Sequence, residues 1–285
     1  MTVPPYADKI HNWYLELQTR ICQSLEAIEQ ESLKIDLYKS WQAQHFEPKK
    51  WKFNQSGGGQ MAILQNGRVF EKAGVNVSCV WGEFAKEFAE QIPGAAVDPR
   101  FWACGISLVI HPRNPFVPIV HMNTRHIVTT KSWFGGGADL TPSIPFDEDT
   151  LLFHQAFKQC CDSHDPLYFE KFKAWCDKYF YLPHRNEARG VGGIFYDYLN
   201  TENFSTDDNF NKDVGKTFLK TYPAIVRKRM EMPWGAFEED ILLKKRGRYV
   251  EFNLIYDRGT QFGLKTGGNP DAILMSLPPV AKWAA

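Results

Sequence analysis

Apolar residues recur at helical spacing from Ile10 through Trp13, Tyr14, Leu17, Ile21 and Leu25 to Ile28, with charged and amide side chains between them, which predicts an amphipathic helix over residues 6–30. The period then drops to two. Leu33, Ile35 and Leu37 alternate with polar neighbours as a strand, and Val75, Val77 and Cys79 mark another. Between them Asn66-Gly67 is a type I′ hairpin signal that would pair Met61 to Gln65 with Arg68 to Glu71. From Gly105 to His111, Ile106, Leu108 and Ile110 alternate with Ser107, Val109 and His111. From Pro118 to Thr130, His121, Asn123 and Arg125 share one face, and Val120, Met122, Thr124, His126 and Val128 take the other. Pro112, Pro115 and Pro118 make the link between these runs a stiff turn.

Beyond Trp133 the pattern turns mostly helical. Asp147, Glu148 and Asp149 suit a helix start, with Leu151, Leu152, Ala156, Phe157 and Cys160 as its apolar stripe. Further helices are expected from Pro166 to Tyr181 and from Phe210 to Val226, the latter kinked near Pro223. Ile194 to Leu199 reads as a strand. Residues 248–264 alternate strictly, with Tyr249, Glu251, Asn253, Ile255 and Asp257 opposite Val250, Phe252, Leu254 and Tyr256, which predicts a long strand. Ile273 to Leu277 is then a short apolar run expected to close the sheet. The whole is a mixed α/β chain, mostly antiparallel in its first half, in one domain over residues 1–285.

The stretch Gly105 to Thr141 concentrates the candidate chemistry. Ser107, His111, His121, Asn123 and Arg125 converge on one side of adjacent strands, and an arginine there can hold a carboxylate in a planar bidentate way. The same pattern also fits the solvated face of an ordinary half-exposed sheet. Trp133 to Asp139 adds aromatics, three glycines and a carboxylate. Such glycines let backbone approach a ligand, or mark a bend at a strand end.

Composition narrows the class. Lys plus Arg and Asp plus Glu balance at 33 each, which argues against a nucleic-acid or anionic-membrane surface. The six cysteines form no CxxC and no zinc or iron–sulfur spacing, so a reduced, cytoplasmic setting is expected. The first residues lack the look of a signal or transit peptide, and no apolar run reaches membrane-spanning length.

Longer motifs are more specific. The run KAWCDKYFYLPHRNEARGVGGIFYD (Lys173 to Asp197) resembles the signature of the oxygen-dependent coproporphyrinogen III oxidases. The resemblance extends in order through FEKAGVNVS, GISLVIHPRNP, HMNTR, WFGGGADLTP, RGRYVEFNLIYDRGTQFGLKTGG and ILMSLPP. It implies a broad, flat antiparallel sheet sandwiched between helices on both faces, and a homodimer with its contact around Tyr249 to Pro279. It also implies oxidative decarboxylation of two propionates of coproporphyrinogen III to vinyl groups by dioxygen, without an organic cofactor.

By matching motifs, the resemblance places Ser107, Asn123, Thr124 and Arg125 at substrate-binding positions, with Arg125 the clamp for a propionate and His121 the proton donor. Asp139 and Asp257 match acidic residues, with Asp257 the candidate to hold the pyrrole N–H groups. Gly267, Gly268 and Asn269 match a further substrate contact, in which Asn269 stands where an arginine is common. Arg258 is a further binding candidate that also fits an internal ion pair, and Asp197 also fits a buried capped acid. His111, His121, His154 and His184 match positions described as metal ligands in some members, although no two share a short helical ligand spacing. A divalent-metal oxygenase and a non-catalytic tetrapyrrole-binding protein are the alternative readings. Tyr196 replaces a usual phenylalanine and adds a hydroxyl that needs a partner if buried.

Overall fold

In the computed structural model, which describes residues 3–265 and 267–283, the stripe from Ile10 to Ile28 becomes α1 (Ala7–Glu31), with Ile10, Tyr14, Leu17, Ile21, Leu25 and Ile28 all buried. It lies on a seven-stranded antiparallel sheet of β1 (Glu47–Lys52), β2 (Ser56–Gln65), β3 (Phe70–Glu83), β4 (Arg100–Pro112), β5 (Ile119–Val128), β6 (Ser132–Thr141) and β9 (Gly192–Leu199), in that spatial order. A short helix α2 (Lys86–Ala89) joins β3 to β4. Between β6 and β9 come α3 (Asp147–Asp162), α4 (Tyr168–Tyr179) and the small β7–β8 hairpin (Tyr181–Leu182, Glu187–Ala188). The chain ends with α5 (Phe204–Arg229), which continues through Pro223, then α6 (Ala236–Ile255), α7 (Arg258–Lys265) and α8 (Pro270–Leu274).

The period-two reading of β4 and β5 sorts the sheet's two faces. Ile106, Leu108, Ile110, Val120 and Met122 join Leu17, Phe153, Phe210 and Phe218 in the main core under α1, α3 and α5. The other face carries Val109 and Ile119, which pack on Tyr249 of α6, and Gly74, which meets Met275 just beyond α8. Helices therefore cover both sides, with α4 along edge strand β9: Phe172 joins the main core, and Phe180 joins Phe195 and Phe252 on the second face. Among the described residues no helix is long and apolar enough to cross a membrane.

Four expectations are corrected. Residues 33–37 form two 3₁₀ turns (Ser32–Lys34 and Asp36–Tyr38), because the chain winds round the Arg68 guanidinium to give it the Ser32, Ile35 and Trp41 carbonyls. The hairpin at Asn66 closes over residues 66–69 with Gln65 opposite Lys72, since the Glu29 carboxylate accepts the N–H groups of Arg68, Val69 and Phe70 and ties that turn to α1. Residues 248–255 belong to α6 and 258–264 to α7, with Tyr256 and Asp257 between the two helices. Leu242, Arg246, Tyr249, Phe252 and Asn253 point inward at helical spacing on α6, and α7 follows. Residues Ile273 to Leu277 do not close the sheet, because Pro270 and the Asn269 cap start α8 there.

Candidate active site

Register alone brings most of the predicted residues together. His121 stands opposite Asp139, Ser107 opposite Asn123, and Arg125 opposite Gly135, so their side chains leave the sheet on the face that α6 and α8 cover only in part. His121 Nδ1–H donates to Asp139 Oδ1 at 2.8 Å, which leaves Nε2 to accept from Asn123 Nδ2 at 3.2 Å. The Asn123 carbonyl accepts from Arg125 Nη1 at 3.2 Å, and Arg125 Nη2 meets Asp197 Oδ2 at 2.9 Å. Gly135 leaves room for this pair: a Cβ there would lie 2.7 Å from Asp197 and 2.9 Å from the Arg125 guanidinium carbon.

Behind the row, Asp139 receives both Arg189 Nη2 contacts, at 2.9 and 2.7 Å, and both side chains are almost fully buried. Burial alone would raise the Asp139 pKa; the Arg189 charge and the His121 hydrogen bond outweigh it and hold the carboxyl below its ordinary value. Arg189 is itself packed 4.1 Å from the Phe180 ring and 4.5 Å from that of Tyr249, and donates to Asn253 on α6. The resulting chain Arg189–Asp139–His121–Asn123–Arg125–Asp197 fixes one imidazole tautomer and holds one guanidinium at a half-exposed surface. Such an arrangement can bind a carboxylate and move a proton beside it.

A family model for coproporphyrinogen III oxidase matches residues 9–285. The chain belongs to that family. The oxygen-dependent coproporphyrinogen-III oxidase of Rickettsia bellii (strain RML369-C) is 53% identical over 273 residues, 96% of this chain and 96% of the relative. Those of Rickettsia akari (strain Hartford) and Rickettsia rickettsii (strain Sheila Smith) are each 53% identical over 272 residues, 95% of this chain and 96% of theirs.

The remaining candidates sit elsewhere. Thr124 points to the opposite face and is fully buried. Asp257 caps α7: its Oδ2 accepts from the Thr260 N–H (2.7 Å) and hydroxyl (2.8 Å), and its Oδ1 accepts from Tyr179 Oη at 2.9 Å. Tyr179 stacks on Phe195, 4.3 Å between centroids, and Phe195 also lies under Arg125, so Asp257 stands behind the wall of the row. Arg258 is exposed and lies over the Tyr179 ring at 5.2 Å, and among the described residues it has no ion-pair partner. Gly267, Gly268 and Asn269 form the α7–α8 turn, where the Asn269 side chain caps α8.

The four histidines do not fit a shared metal centre. His111 Nε2 donates to the Ser276 carbonyl (2.8 Å), His121 is held by Asp139, and His154 Nε2 contacts the Val191 carbonyl (3.1 Å). His184 lies between Tyr256 Oη (2.8 Å) and Glu251 (2.7 Å). Among the described residues no group of three His, Cys, Asp or Glu is gathered to hold an ion.

Sequence reasoning missed Arg189 and undervalued Asp197. Arg189 follows a hairpin outside the main sheet, where periodicity carries no information; its one signal was a cation inside the signature run. The Tyr196 hydroxyl does find its partner. It donates to Asn211 Oδ1 at 2.8 Å, and Asn211 donates in turn to Tyr14 Oη at 2.7 Å.

Proposed function

We propose that this chain is an oxygen-dependent oxidase that converts two propionates of coproporphyrinogen III to vinyl groups, giving protoporphyrinogen IX in haem biosynthesis. In each step R–CH2–CH2–COO⁻ becomes R–CH=CH2 plus CO2, with two electrons and one proton leaving the substrate and dioxygen accepting the electrons. The observation that carries this reading is the row His121–Asn123–Arg125 on an open sheet face, backed by Asp139 and Arg189, in a member of this family.

The face suits a flat macrocycle. Beside the row its floor is made by Asn76, Ser78, Gly105, Ser107, Gly135 and Gly137, small groups that let a ring lie close to the backbone. Arg125 holds a propionate by sharing its guanidinium with Asp197, and the fixed His121 Nε2 handles a proton near the reacting side chain. Asp257 is the acid assigned to the pyrrole N–H groups, and its place behind Tyr179 requires it to act from the α7 end of the cleft. The electron-rich pyrrole supplies the reducing power, so the reading calls for no organic cofactor and no resident metal.

We assign the protein to the cytoplasm and to a homodimer. The outward Leu254 and Ile255 of α6 and Leu264 of α7 support a contact around Tyr249 to Pro279. Turnover of anaerobically prepared coproporphyrinogen III, started by oxygen on chelator-treated protein of known metal content, tests the reaction. Vinyl product is expected from metal-free protein; activity restored only by metal would favour the metal oxygenase, and binding without product the carrier.

A further inference from the structure

Cys79 on β3 and Cys104 on β4 stand directly opposite each other in the antiparallel ladder, on the core side of the sheet. Opposed residues in such a pair have Cα atoms about 4.5–5.5 Å apart, inside the roughly 4.4–6.8 Å that a disulfide spans. Both thiols are free and buried, and they face each other across the ladder. Two positions along β4 from Cys104 on the same face, the Trp102 indole N–H is buried and has no hydrogen-bond partner among the described residues. The neighbouring Cys104 thiol outweighs burial and holds the Cys79 thiol below its ordinary value, whereas burial pushes Cys22, Cys104, Cys160, Cys161 and Cys176 up.

Both cysteines are buried, and the surface nearest to them lies one opposed pair away. The next opposed pair on that face, Trp81 and Trp102, lines a surface cleft of about 160 Å³. That pair is two residues along each strand, about 7 Å from the sulfurs. On the other face, the residues adjoining the two cysteines are Ser78 and Gly105, opposed floor positions of the proposed site, and Gly105 touches the Arg125 side chain.

We infer that Cys79 and Cys104 are a peroxide-oxidisable dithiol beneath the substrate floor, whose closure to a disulfide weakens binding above it. The oxidant is hydrogen peroxide. Cys79–S⁻ attacks one peroxide oxygen, giving Cys79–SOH and hydroxide; the Cys104 sulfur then displaces water to form the S–S bond. The net change is two thiols plus H2O2 to one disulfide plus two waters. Closing the bond fixes the separation and twist of β3 and β4 at the level of Ser78 and Gly105, the latter opposite Arg125 on β5.

The test treats reduced, desalted protein with hydrogen peroxide, followed by alkylation under denaturing conditions and non-reducing peptide mapping. A Cys79–Cys104 linked peptide that dithiothreitol abolishes is expected, with the other four thiols still alkylated. Oxidation elsewhere first, or all six thiols intact, overturns the inference. In Cys104→Ser, dimedone should label Cys79, and no label would equally overturn it; if that variant does not fold, the wild-type map decides. Binding of coproporphyrin III, read by its absorbance, should weaken several-fold in the linked protein and recover on reduction. Unchanged affinity would overturn the link to the floor. This last readout rests on the proposed substrate, while the peptide map does not, so the two can fail separately.

Discussion

Arg125 and Asp197 share a hydrogen-bonded charge contact at a partly buried site, so removing one partner strands the other. Arg125→Ala is expected to lower stability by about 1–3 kcal/mol through the unpaired Asp197 and to abolish most turnover. Adding Asp197→Asn should restore the stability and leave turnover lost. Urea melts and initial rates on the three proteins separate the two effects, and recovered turnover in the double variant would make Arg125 structural. Arg189→Leu leaves the buried Asp139 charge with His121 alone, and about 3–5 kcal/mol of destabilisation is expected; a near-normal urea midpoint would show that the His121 contact suffices for Asp139. Acid sensitivity follows from two buried imidazoles. Burial holds His111 down to about 3 and His126 down to about 4, so between those values and the unfolded value of about 6.5 the unfolded chain binds more protons. Their neutral burial stabilises the fold fully above about pH 6.5, and that stability is lost as pH falls through the folded values. His126→Phe, which keeps the stack on Phe134, should flatten the fall of Tm between pH 6.5 and 4; an unchanged slope would assign the acid sensitivity to other groups.

At the scale of elements, Asp257 caps α7 and is proposed to hold the pyrrole N–H groups, two duties that a pair of substitutions can divide. Asparagine caps a helix about as well as aspartate, whereas alanine does not, at a cost of about 0.5–2 kcal/mol. Asp257→Asn should keep α7 and Tm while losing turnover; Asp257→Ala should lose both. Normal rates in Asp257→Asn would reduce the residue to a cap. The strands of the site were legible because each has one face in the core and one half-exposed, so period two is written cleanly into Gly105 to His111 and Pro118 to Thr130. That alternation put His121, Asn123 and Arg125 on one face and Thr124 on the other, as the structure does. What periodicity could not show was pairing: that Asp139 would stand opposite His121, or that an arginine from beyond a two-residue hairpin strand would neutralise it. The turn at residues 33–37 was misread for a related reason, because its conformation is dictated by Arg68, distant in sequence.

For the whole molecule, the misreading of residues 248–264 and the proposed dimer have one cause. A helix apolar on one side announces itself by its period, but one that is apolar all round does not. On α6, Tyr249 and Phe252 are buried against the sheet, while Leu254 and Ile255 on the outer side are 47% and 50% exposed. Apolar residues on both sides generated the false alternation that resembled a strand. A helix of that kind is ordinarily covered on both sides, and here the second cover is assigned to another copy of the chain, with Leu264 of α7 extending the patch. Burying a leucine or isoleucine side chain contributes about 1.5–3 kcal/mol, so the double variant Leu254→Lys, Ile255→Lys should shift the protein from dimer to monomer in sedimentation equilibrium. Both side chains lie outside the core of the monomer, so far-UV circular dichroism should stay unchanged. A wild-type monomer, or a double variant that remains dimeric, would place the interface elsewhere and leave the outer face of α6 unexplained.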